Sequence, residues 1–466
     1  MNNLFAHLQK KHEETPYLPL PVRRKILKQL RHLLQENAYL LAEAISKDFT
    51  FRSQEETFFL ELLPTVSTID YCLKHLKSWA KPRKRHTPWY FTTAKAYVFP
   101  QPLGVIGIMV PWNYPIFLSV IPAIFALSAG NRVMIKMSEY SPNMGKLLSK
   151  IIKNNPVLKE MIVVVNGNLE VAKAFSGLPF DHLLFTGSAQ VGKYIMEEAS
   201  NHLTPITLEL GGKSPVIVST TADSKHFDRI FMGKLFNAGQ TCLASDYLLI
   251  PEGWEAKIEA HFRQFMAARF PDLLENEAYT AVISKASMKR LNGLLEDARK
   301  KGGKIITIGQ TEGYKGNKMP VNLILNANPS MLVMQEEIFG PLLPVMTYKS
   351  FEKAVEWINS MPKPLALYYF GNSEKEKRLV KNNVLSGATV FNDTLMHAAI
   401  HDLPFGGVGA SGMGQYHGQE GFDGFSKLKP VLEQSRFNFG SFIYPPYHKW
   451  IRVLLLRLAG IKHKRG

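Results

Sequence analysis

Cys242 lies in the segment GQTCLASDY, in a Gly–Gln–Thr turn that follows a helical stretch at residues 230–236. A thiolate nucleophile needs a polar, accessible setting that lowers the thiol pKa, and a turn offers exposed backbone N–H groups. A single cysteine is more often structural, and Cys72, within a helical apolar pattern, is expected to be a buried thiol of that kind. Whether Cys242 is a nucleophile therefore depends on the other groups that the sequence supplies.

Two further polar residues could complete such a site. Glu209 ends a predicted strand in LELGGKSP, and a carboxylate at the carboxyl edge of an α/β sheet could act as a general base. Asn113, in VPWNYP, lies between two prolines, and its amide could donate to a developing oxyanion. Each has a plainer interpretation, because Glu209 could be a surface residue at a strand end and Asn113 could cap a turn before Pro115.

Other segments have features of a dinucleotide site. In FTGSAQVG, Gly187 and Gly192 would allow a pyrophosphate to approach the start of a helix closely. This pattern is not G-x-G-x-x-G, and similar turns are common in α/β proteins. Lys136 and Glu139, in IKMSEYSP, lie at the end of the second strand, beyond which an acidic residue is expected to contact a ribose. Exposed charges at a strand end are the alternative.

The elements that would position these residues follow a repeating pattern. Short apolar strands alternate with helices from residue 103 to residue 210, which predicts a parallel, doubly wound α/β sheet. The predicted strands are 103–110, 131–136, 162–167, 182–187 and 204–210, and the predicted helices are 116–128, 141–153, 169–176 and 189–200. Ser141 is expected to cap the second of these helices, with Pro142 in its first turn.

Helical periodicity at residues 21–79 precedes this region, and a second α/β region is predicted to follow it. That second region begins near residue 237, includes a strand at 247–251 and continues to about residue 391. Residues 404–414 are glycine-rich and are predicted to form a loop.

Length and composition limit the class of protein. With 466 residues, 45% apolar and 20% charged, the chain is expected to be a soluble globular protein of at least two domains. Two cysteines exclude a disulfide framework and favour a reducing compartment. Neither a signal peptide nor a long apolar run is evident, so the cytoplasm is the expected location. No zinc-type spacing is present, so no metal is expected.

The net charge of +17 is concentrated in two clusters. The first is interpreted as solvated surface and comprises Lys74, Lys77, Lys81, Arg83, Lys84, Arg85 and Lys95. The second lies in the C-terminal tail and comprises Arg436, Lys449, Arg452, Arg457, Lys462, Lys464 and Arg465. Nucleic-acid binding is not expected, because the chain has no nucleic-acid-binding motif and few aromatic residues among these charges.

Residues 448–461, HKWIRVLLLRLAGI, form the pattern of a basic amphipathic helix. One side would carry the basic residues Lys449, Arg452 and Arg457, and the other would carry Trp450, Ile451, Leu454, Leu455, Leu458 and Ile461. Such a helix suits the surface of an anionic membrane, and membrane attachment would favour a lipophilic substrate. The alternative is a helix that packs on the protein or on a partner subunit.

Together these segments resemble the aldehyde dehydrogenase superfamily, and they occur in that family's order. The matching segments are PWNYP, IKMSE, FTGSAQVG, LELGGKSP, GQTC, EEIFGP and LPFGGVGASGMG. The short N-terminus and the IYPPY motif in the tail are similar to the class 3 branch, which includes fatty and aromatic aldehyde dehydrogenases and bacterial relatives.

The resemblance implies an α/β fold with a cofactor domain, built on a doubly wound parallel sheet, and an α/β catalytic domain. It also implies a small bridging and oligomerisation element, and a homodimer. The expected parts are a cofactor domain at 1–81 and 101–208, a catalytic domain at 209–395, a bridging element at 82–100 and 396–445, and a basic tail at 446–466.

The resemblance also implies a reaction. An aldehyde would be oxidised to a carboxylic acid through a thiohemiacetal and a thioester on Cys242, with Glu209 as the general base. Asn113 and the Cys242 N–H would hold the oxyanion. The substrate is expected to be lipophilic: long-chain aliphatic, polyene or aromatic. A CoA-acylating or semialdehyde-specific dehydrogenase, and a binding protein without activity, are the alternatives.

The implied cofactor is NAD, with NADP as an alternative. The implied contacts are Lys136 and Glu139 at the adenine ribose, Gly187, Ser188 and Gly192 around the pyrophosphate, and Glu337 and Phe339 at the nicotinamide and its ribose. One departure from the family is Met137, where proline is usual, and it is expected to loosen the turn after Lys136.

Overall fold

Three β-sheets organise the chain in the computed structural model, which describes residues 1–91, 93–310, 314, 316–436, 440 and 444–461. The strands are β1 Arg83–Lys84, β2 Lys95–Pro102, β3 Val105–Met109, β4 Arg132–Lys136, β5 Ile162–Val165, β6 His182–Gly187, β7 Ile206–Leu210, β8 Pro215–Val218, β9 Tyr247–Pro251, β10 Lys304–Ile308, β11 Val321–Leu325, β12 Leu342–Tyr348, β13 Ala366–Phe370, β14 Ala388–Phe391, β15 Gly412–Met413 and β16 Ser426–Glu433.

Helices cover the sheets and form the N-terminal region. They are α1 Asn2–Glu14, α2 Leu20–Glu36, α3 Ala38–Asp48, α4 Gln54–Thr57, α5 Leu63–Trp79, α6 Pro115–Ala129, α7 Pro142–Asn154, α8 Leu169–Ser176, α9 Ala189–Ser200, α10 Lys225–Leu235, α11 Glu255–Arg269, α12 Lys285–Lys300, α13 Leu332–Gln335, α14 Phe351–Ser360, α15 Glu374–Asn383, α16 Gly418–Gly424 and α17 Lys449–Leu458. A π-helical turn, Phe58–Leu62, joins α4 to α5, and 3₁₀ turns lie at Trp89–Phe91, Leu158–Glu160, Phe236–Gly239 and Met396–Ala399.

The predicted doubly wound sheet is present, with the strand order β15-β7-β6-β3-β4-β5. Strands β3 to β7 are parallel, as predicted. The chain runs from β3 outward to β5 and then returns to the other side of β3, so the strand order reverses between β3 and β6. Ligands of open α/β sheets bind outside the carboxyl ends of the strands at such a reversal.

One edge of this sheet differs from the prediction. β15 pairs with β7 in the antiparallel direction, Gly412 opposite Glu209, although residues 404–414 were predicted to be a loop. A strand of two residues produces no periodic hydrophobic signal, so this pairing could not be predicted from the sequence.

The second sheet has seven strands in the order β10-β11-β12-β9-β8-β13-β14, and only β10 is antiparallel to its neighbour. This confirms a second α/β region. It begins before residue 237, where the sequence pattern had suggested its start, because β8 pairs with β9 and β13. The third sheet joins β1, β2 and β16, and β2 pairs with β16 from Ser426 opposite Pro102 to Glu433 opposite Lys95.

The cap of α7 also differs from the prediction. The helix begins where expected, but the Ser141 hydroxyl donates to a backbone carbonyl three residues earlier. The carboxylate of Asp48, at the end of α3, accepts from the backbone N–H groups of Asn143 and Met144, each at 2.9 Å. A carboxylate from a distant helix thus satisfies the first turn of α7 and favours its dipole.

The described part of the predicted tail is helical as α17. Ile451 is buried, whereas most of the other apolar side chains of the helix are exposed, with Leu458 at 57%. Lys462, Lys464, Arg465 and Ile443 of the IYPPY motif lie outside the described residues. Across the described part of the chain, no helix combines the length and the apolar character that crossing a membrane requires.

Candidate active site

Two cavities meet at Cys242. A large cleft of about 1400 Å³ follows the carboxyl ends of β3, β4 and β6, and an apolar pocket of about 700 Å³ lies beside it. Cys242, Leu118 and Phe405 line both cavities. The structure brings every predicted site residue except Gly192 to the large cleft: Asn113, Lys136, Glu139, Gly187, Ser188, Glu209, Cys242, Glu337 and Phe339.

Cys242 follows a 3₁₀ turn in which Asn237 and Ala238 have left-handed backbone angles, with φ of 53° and 52°. The thiol is half-buried between the two cavities. The expectation that this setting lowers the pKa of the Cys242 thiol is wrong. Burial raises the pKa of Cys242 to about 12, and the carboxylates of Glu337 and Glu209 add to that rise. Backbone N–H groups oppose the shift but do not outweigh it.

Glu209 is buried within β7, which excludes the interpretation as a surface residue. Both of its carboxylate oxygens lack a hydrogen-bond partner among the described residues. Burial raises its pKa well above the ordinary value, so the carboxyl group holds a proton more tightly than glutamate in water. A buried carboxyl group with unsatisfied oxygens, facing a cleft, is suited to proton transfer.

Asn113 is buried, and its side-chain amide donates to the backbone oxygen of Gln240 at 3.2 Å. Its own backbone oxygen accepts from the Asn237 side chain at 3.0 Å. The alternative, a side chain that caps the turn before Pro115, is not seen, because Oδ1 of Asn113 has no hydrogen-bond partner among the described residues and the amide bonds to Gln240. Asn113 is therefore tied to the turn that precedes Cys242.

Lys136 ends β4 with a buried side chain. Its Nζ donates to the backbone oxygens of Met137 at 2.7 Å and Gly167 at 2.9 Å, and burial lowers its pKa. Glu139 is exposed and lines the cleft. The expected loosening at Met137 is wrong, because its N–H donates to Val165 at 3.0 Å and extends the pairing of β4 with β5. Proline has no N–H and could not form this bond.

The FTGSAQVG segment places the start of α9 at the cleft. Ser188 is the N-cap of α9, and its hydroxyl accepts from the Val191 N–H at 3.4 Å. A Cβ atom at Gly187 would lie 2.4 Å from the Phe185 ring. Gly192 has a different position, because it is buried in α9 and a Cβ atom there would lie 2.8 Å from Leu210. Gly192 allows the helix to pack on β7.

Glu337 and Phe339 also line the large cleft. Burial, followed by the charge of Asp246, raises the pKa of Glu337 to about 7, and Oε1 of Glu337 has no hydrogen-bond partner in the described ranges. Phe339 has a φ of 51° and packs edge-to-face on Trp112, with ring centres 5.5 Å apart. An aromatic face and an acceptor thus border one region of the cleft.

The sequence model of the aldehyde dehydrogenase family matches residues 2–431 of this chain. The chain belongs to this family. It is 47% identical to a probable coniferyl aldehyde dehydrogenase from Pseudomonas aeruginosa, over 98% of this chain and 95% of that protein. It is 37% identical to aldehyde dehydrogenase family 3 member A2 from Pongo abelii, over 94% of this chain and 90% of that protein.

A solved structure is also similar. The substrate-bound structure of Staphylococcus aureus AldH has a TM-score of 0.91 and 34% identity, covering 97% of this chain and 99% of that chain. These comparisons confirm the resemblance to the class 3 branch. The protein is an aldehyde dehydrogenase that uses NAD(P) and oxidises an aldehyde to a carboxylic acid.

The apolar pocket of this aldehyde dehydrogenase was not predicted. Its lining comes from four separate parts of the chain: Phe59, Leu60, Pro64, Tyr114, Phe117, Leu118, Thr241, Cys242, Leu243, Leu395, Met396, Ala398, Ala399 and Phe405. The hydroxyls of Tyr114 and Thr241 bond to each other at 2.9 Å, so both are satisfied within the wall. Tyr114, Thr241 and Phe405 lie in three different matching motifs, but no single motif joins the four parts, and only the fold brings them together.

Residues that hold the Glu337 segment of the dehydrogenase were also missed. Lys213 forms an ion pair with Asp246, and Asp246 accepts from the Ile338 N–H at 3.0 Å. Lys213 also donates to two backbone oxygens of the segment before Glu337, each at 2.8 Å. Lys213 and Asp246 occur in LELGGKSP and GQTCLASDY, so those motifs were the available signal.

Proposed function

We propose that this aldehyde dehydrogenase oxidises lipophilic aldehydes, with aromatic, long-chain aliphatic and polyene aldehydes as the candidate classes. The observation that supports this is the position of Cys242 at the wall between the two cavities. The pocket is lined almost entirely by apolar side chains, and the hydroxyls of Tyr114 and Thr241 bond to each other. A hydrocarbon chain or ring there would bury apolar surface without leaving these hydroxyls unpaired.

Cys242 is the nucleophile in this proposal. Ionised Glu209, in the same cleft, takes the proton of the Cys242 thiol and then releases it to solvent. The thiolate adds to the aldehyde carbon, and the carbonyl oxygen becomes the oxyanion of a thiohemiacetal. The Asn113 amide carries two N–H bonds, of which one donates to Gln240, so the second is available to the oxyanion. The backbone N–H of Cys242 is the other proposed donor. When bound, NAD(P) accepts a hydride from the carbon that Cys242 holds.

Glu209 is the proposed general base for the second half of the reaction. Ionised Glu209 takes a proton from water, the resulting hydroxide adds to the thioester carbon, and the Cys242 thiolate leaves. Its raised pKa makes it a stronger base than a solvated glutamate. The proposal includes that water, and not CoA, receives the acyl group of the Cys242 thioester.

The large cleft fits a dinucleotide. Oε1 of Glu337 is buried and has no hydrogen-bond partner among the described residues, as expected for an atom that accepts a hydrogen bond from a ribose hydroxyl of the cofactor. Ser188 places the start of α9 at the cleft, where backbone N–H groups can bind a pyrophosphate. Lys136 and Glu139 are the proposed adenine-ribose contacts. The Glu139 carboxylate would repel a 2′-phosphate, so we propose that NAD is preferred to NADP.

The direct test follows formation of the reduced nicotinamide by absorbance. Purified protein is given decanal, benzaldehyde, coniferyl aldehyde and propanal, each with NAD and with NADP. We expect oxidation of the lipophilic aldehydes with NAD, loss of activity in Cys242→Ala, and activity retained in Cys72→Ala. Acyl-CoA as product when CoA is supplied would overturn the hydrolytic part, and preference for propanal would overturn the substrate class.

We further propose that the protein is a cytoplasmic homodimer that attaches to anionic membrane surfaces through α17. Leu428 and Leu432 of β16 are exposed, and such apolar side chains on an edge strand favour contact with another subunit. Light scattering would measure the mass of the assembly, and a monomer at all concentrations would contradict the dimer. The membrane part is supported by the basic, apolar and largely exposed α17.

A further inference from the structure

A buried ionic cluster lies beneath the Cys242 turn. Arg52, Glu56 and Glu61 are all buried, although such residues are usually exposed unless paired. Arg52 Nη1 donates to Glu61 Oε1 at 2.7 Å, and Arg52 Nε lies 3.9 Å from Glu56 Oε2. Burial raises the pKa of both carboxyl groups, and the Arg52 charge opposes that rise.

The cluster holds the segment that carries Asn113. Arg52 Nη1 also donates to the backbone oxygen of Asn113 at 3.2 Å. Glu61 Oε2 accepts from the N–H groups of Ile116 at 2.8 Å and Phe117 at 3.1 Å, at the start of α6. The backbone is therefore fixed on both sides of the turn between Asn113 and α6.

The same cluster holds the turn before Cys242. Glu56 Oε1 accepts from the backbone N–H of Asn237 at 2.9 Å, and Glu56 Oε2 accepts from the Thr280 hydroxyl at 2.6 Å. Asn237 has a left-handed backbone and donates through its side chain to Asn113. Three charged side chains thus connect the proposed oxyanion donor to the turn that presents the nucleophile.

The segment that supplies these charges also forms part of the apolar pocket. Phe59 and Leu60 line the pocket from the π-helical turn Phe58–Leu62, and the next residue, Glu61, belongs to the cluster. Single π-helical turns within helices often mark functional sites. A hydrocarbon group packed on Phe59 and Leu60 therefore contacts the same π-helical turn whose Glu61 fixes the segment of Asn113.

We propose that Arg52, Glu56 and Glu61 are positioning residues that couple occupation of the apolar pocket to the placement of Asn113 and Cys242. Binding energy from the non-reacting part of a lipophilic aldehyde is then used to orient the reacting groups, so it raises kcat as well as lowering KM. Stability alone is a weak explanation of the cluster, since apolar residues often replace buried ion pairs without loss. This inference rests on the proposed oxidation of lipophilic aldehydes.

The test compares decanal with propanal in wild type, Arg52→Lys and Glu61→Gln. Lysine keeps the charge but cannot bond Glu61 and Asn113 with the same geometry, and glutamine keeps the shape of Glu61. We expect kcat for decanal to fall about 100-fold in Arg52→Lys, with the aldehyde KM and the NAD dissociation constant within about twofold of wild type. The wild-type kcat advantage of decanal over propanal should disappear in both variants.

The control is Arg83→Lys, which alters a partly buried arginine–carboxylate pair with Asp423 in another part of the fold. Melting temperatures of all variants separate loss of folding from loss of positioning. Equal loss of kcat for both aldehydes, or loss that follows melting temperature as in the control, would overturn the inference. A wild-type enzyme with no advantage for decanal in kcat would overturn it as well. A wild type that oxidises neither aldehyde would instead reject the proposed function.

Discussion

The lack of a side chain at Gly211 leaves room for the Glu337 carboxyl group at the large cleft. A Cβ atom built on Gly211 would lie 2.1 Å from Oε2 of Glu337, well inside van der Waals contact. The carboxyl group therefore occupies space that any other residue at position 211 would fill. Glu337 is the proposed contact for the nicotinamide ribose, so this close approach connects a glycine of LELGGKSP to cofactor binding.

Replacement of Gly211 by alanine should displace Glu337 and weaken NAD binding. We expect the NAD dissociation constant to rise at least about tenfold, since misplacement by about 1 Å can cost 10²-fold in activity. Calorimetric titration of the protein with NAD measures this directly. Gly293→Ala in α12 is the control, because a Cβ atom there meets nothing within 4 Å. Unchanged NAD affinity in Gly211→Ala would show that the Glu337 position does not determine binding.

The Cys242 thiol should be poorly reactive at neutral pH when no cofactor is bound. Its pKa is raised to about 12 by burial and by the carboxylates of Glu337 and Glu209. Below that pKa the thiolate fraction increases about tenfold for each pH unit, and alkylation by iodoacetamide should increase with it. Mass spectrometry of Cys242 against pH measures the rate, and buried Cys72 is the internal reference.

Glu337→Gln should accelerate this alkylation only where Glu337 is ionised in the wild type. The pKa of Glu337 is raised to about 7, so the carboxylate opposes the thiolate above that pH and has little effect below it. Glu336→Gln makes the same change in net charge at an exposed position and should have no effect. Acceleration of equal size at all pH values would contradict the role of the Glu337 charge.

A larger side chain in the apolar pocket should discriminate between aldehydes. Ala399 lines the pocket and is itself exposed, so tryptophan there should narrow the pocket without overpacking the core. Hydrophobic pockets discriminate by roughly 10–200-fold for each methylene, so KM for decanal should rise at least about tenfold while KM for propanal stays within about twofold. Leu403→Trp, at an exposed position nearby, is the control. An equal loss with both aldehydes would place the hydrocarbon chain elsewhere.

The large cleft was predictable because several of its residues lie at the ends of neighbouring strands of the parallel sheet. Asn113 follows β3, Lys136 ends β4 and Gly187 ends β6, and the carboxyl ends of parallel strands lie at one edge of a sheet. Residues that are far apart along the chain therefore lie close together at the cleft. Gly192 was the exception, because the motif extends into α9 and its last glycine packs against Leu210.

Other features depend on contacts between distant segments and gave no local signal. Asp48 caps α7 from another helix, although Ser141 is the residue that local rules favour. The pKa of Cys242 is set mainly by burial, which a turn motif does not reveal. Arg52 and Glu61 lie in the region of predicted helical periodicity, residues 21–79, where charged residues are expected to be exposed. Their burial depends on α6 and the Cys242 turn, which pack around them only in the folded chain.

The tail offers a prediction that is independent of catalysis. On α17 the residues Lys449, Arg452 and Arg457 are basic, while Leu454 and Leu458 are exposed apolar residues. An amphipathic helix of this kind gains energy both from buried apolar area and from about 1 kcal/mol per basic residue near an anionic surface. Cosedimentation with vesicles that contain phosphatidylserine should therefore occur and should weaken as salt is added.

Removal of the residues after Tyr447 should abolish this cosedimentation, and Arg452→Glu should weaken it by at least about fivefold. Lys74→Glu is the matched control, since it makes the same charge change in the cluster interpreted as solvated surface, and it should bind as wild type does. The truncated enzyme should keep its kcat with propanal, because α17 contributes no residue to the lining of either cavity among the residues described. Equal binding by truncated and full-length protein would assign membrane attachment to another surface. Equal binding of wild type to uncharged phosphatidylcholine vesicles would show that the basic face of α17 has no part in it.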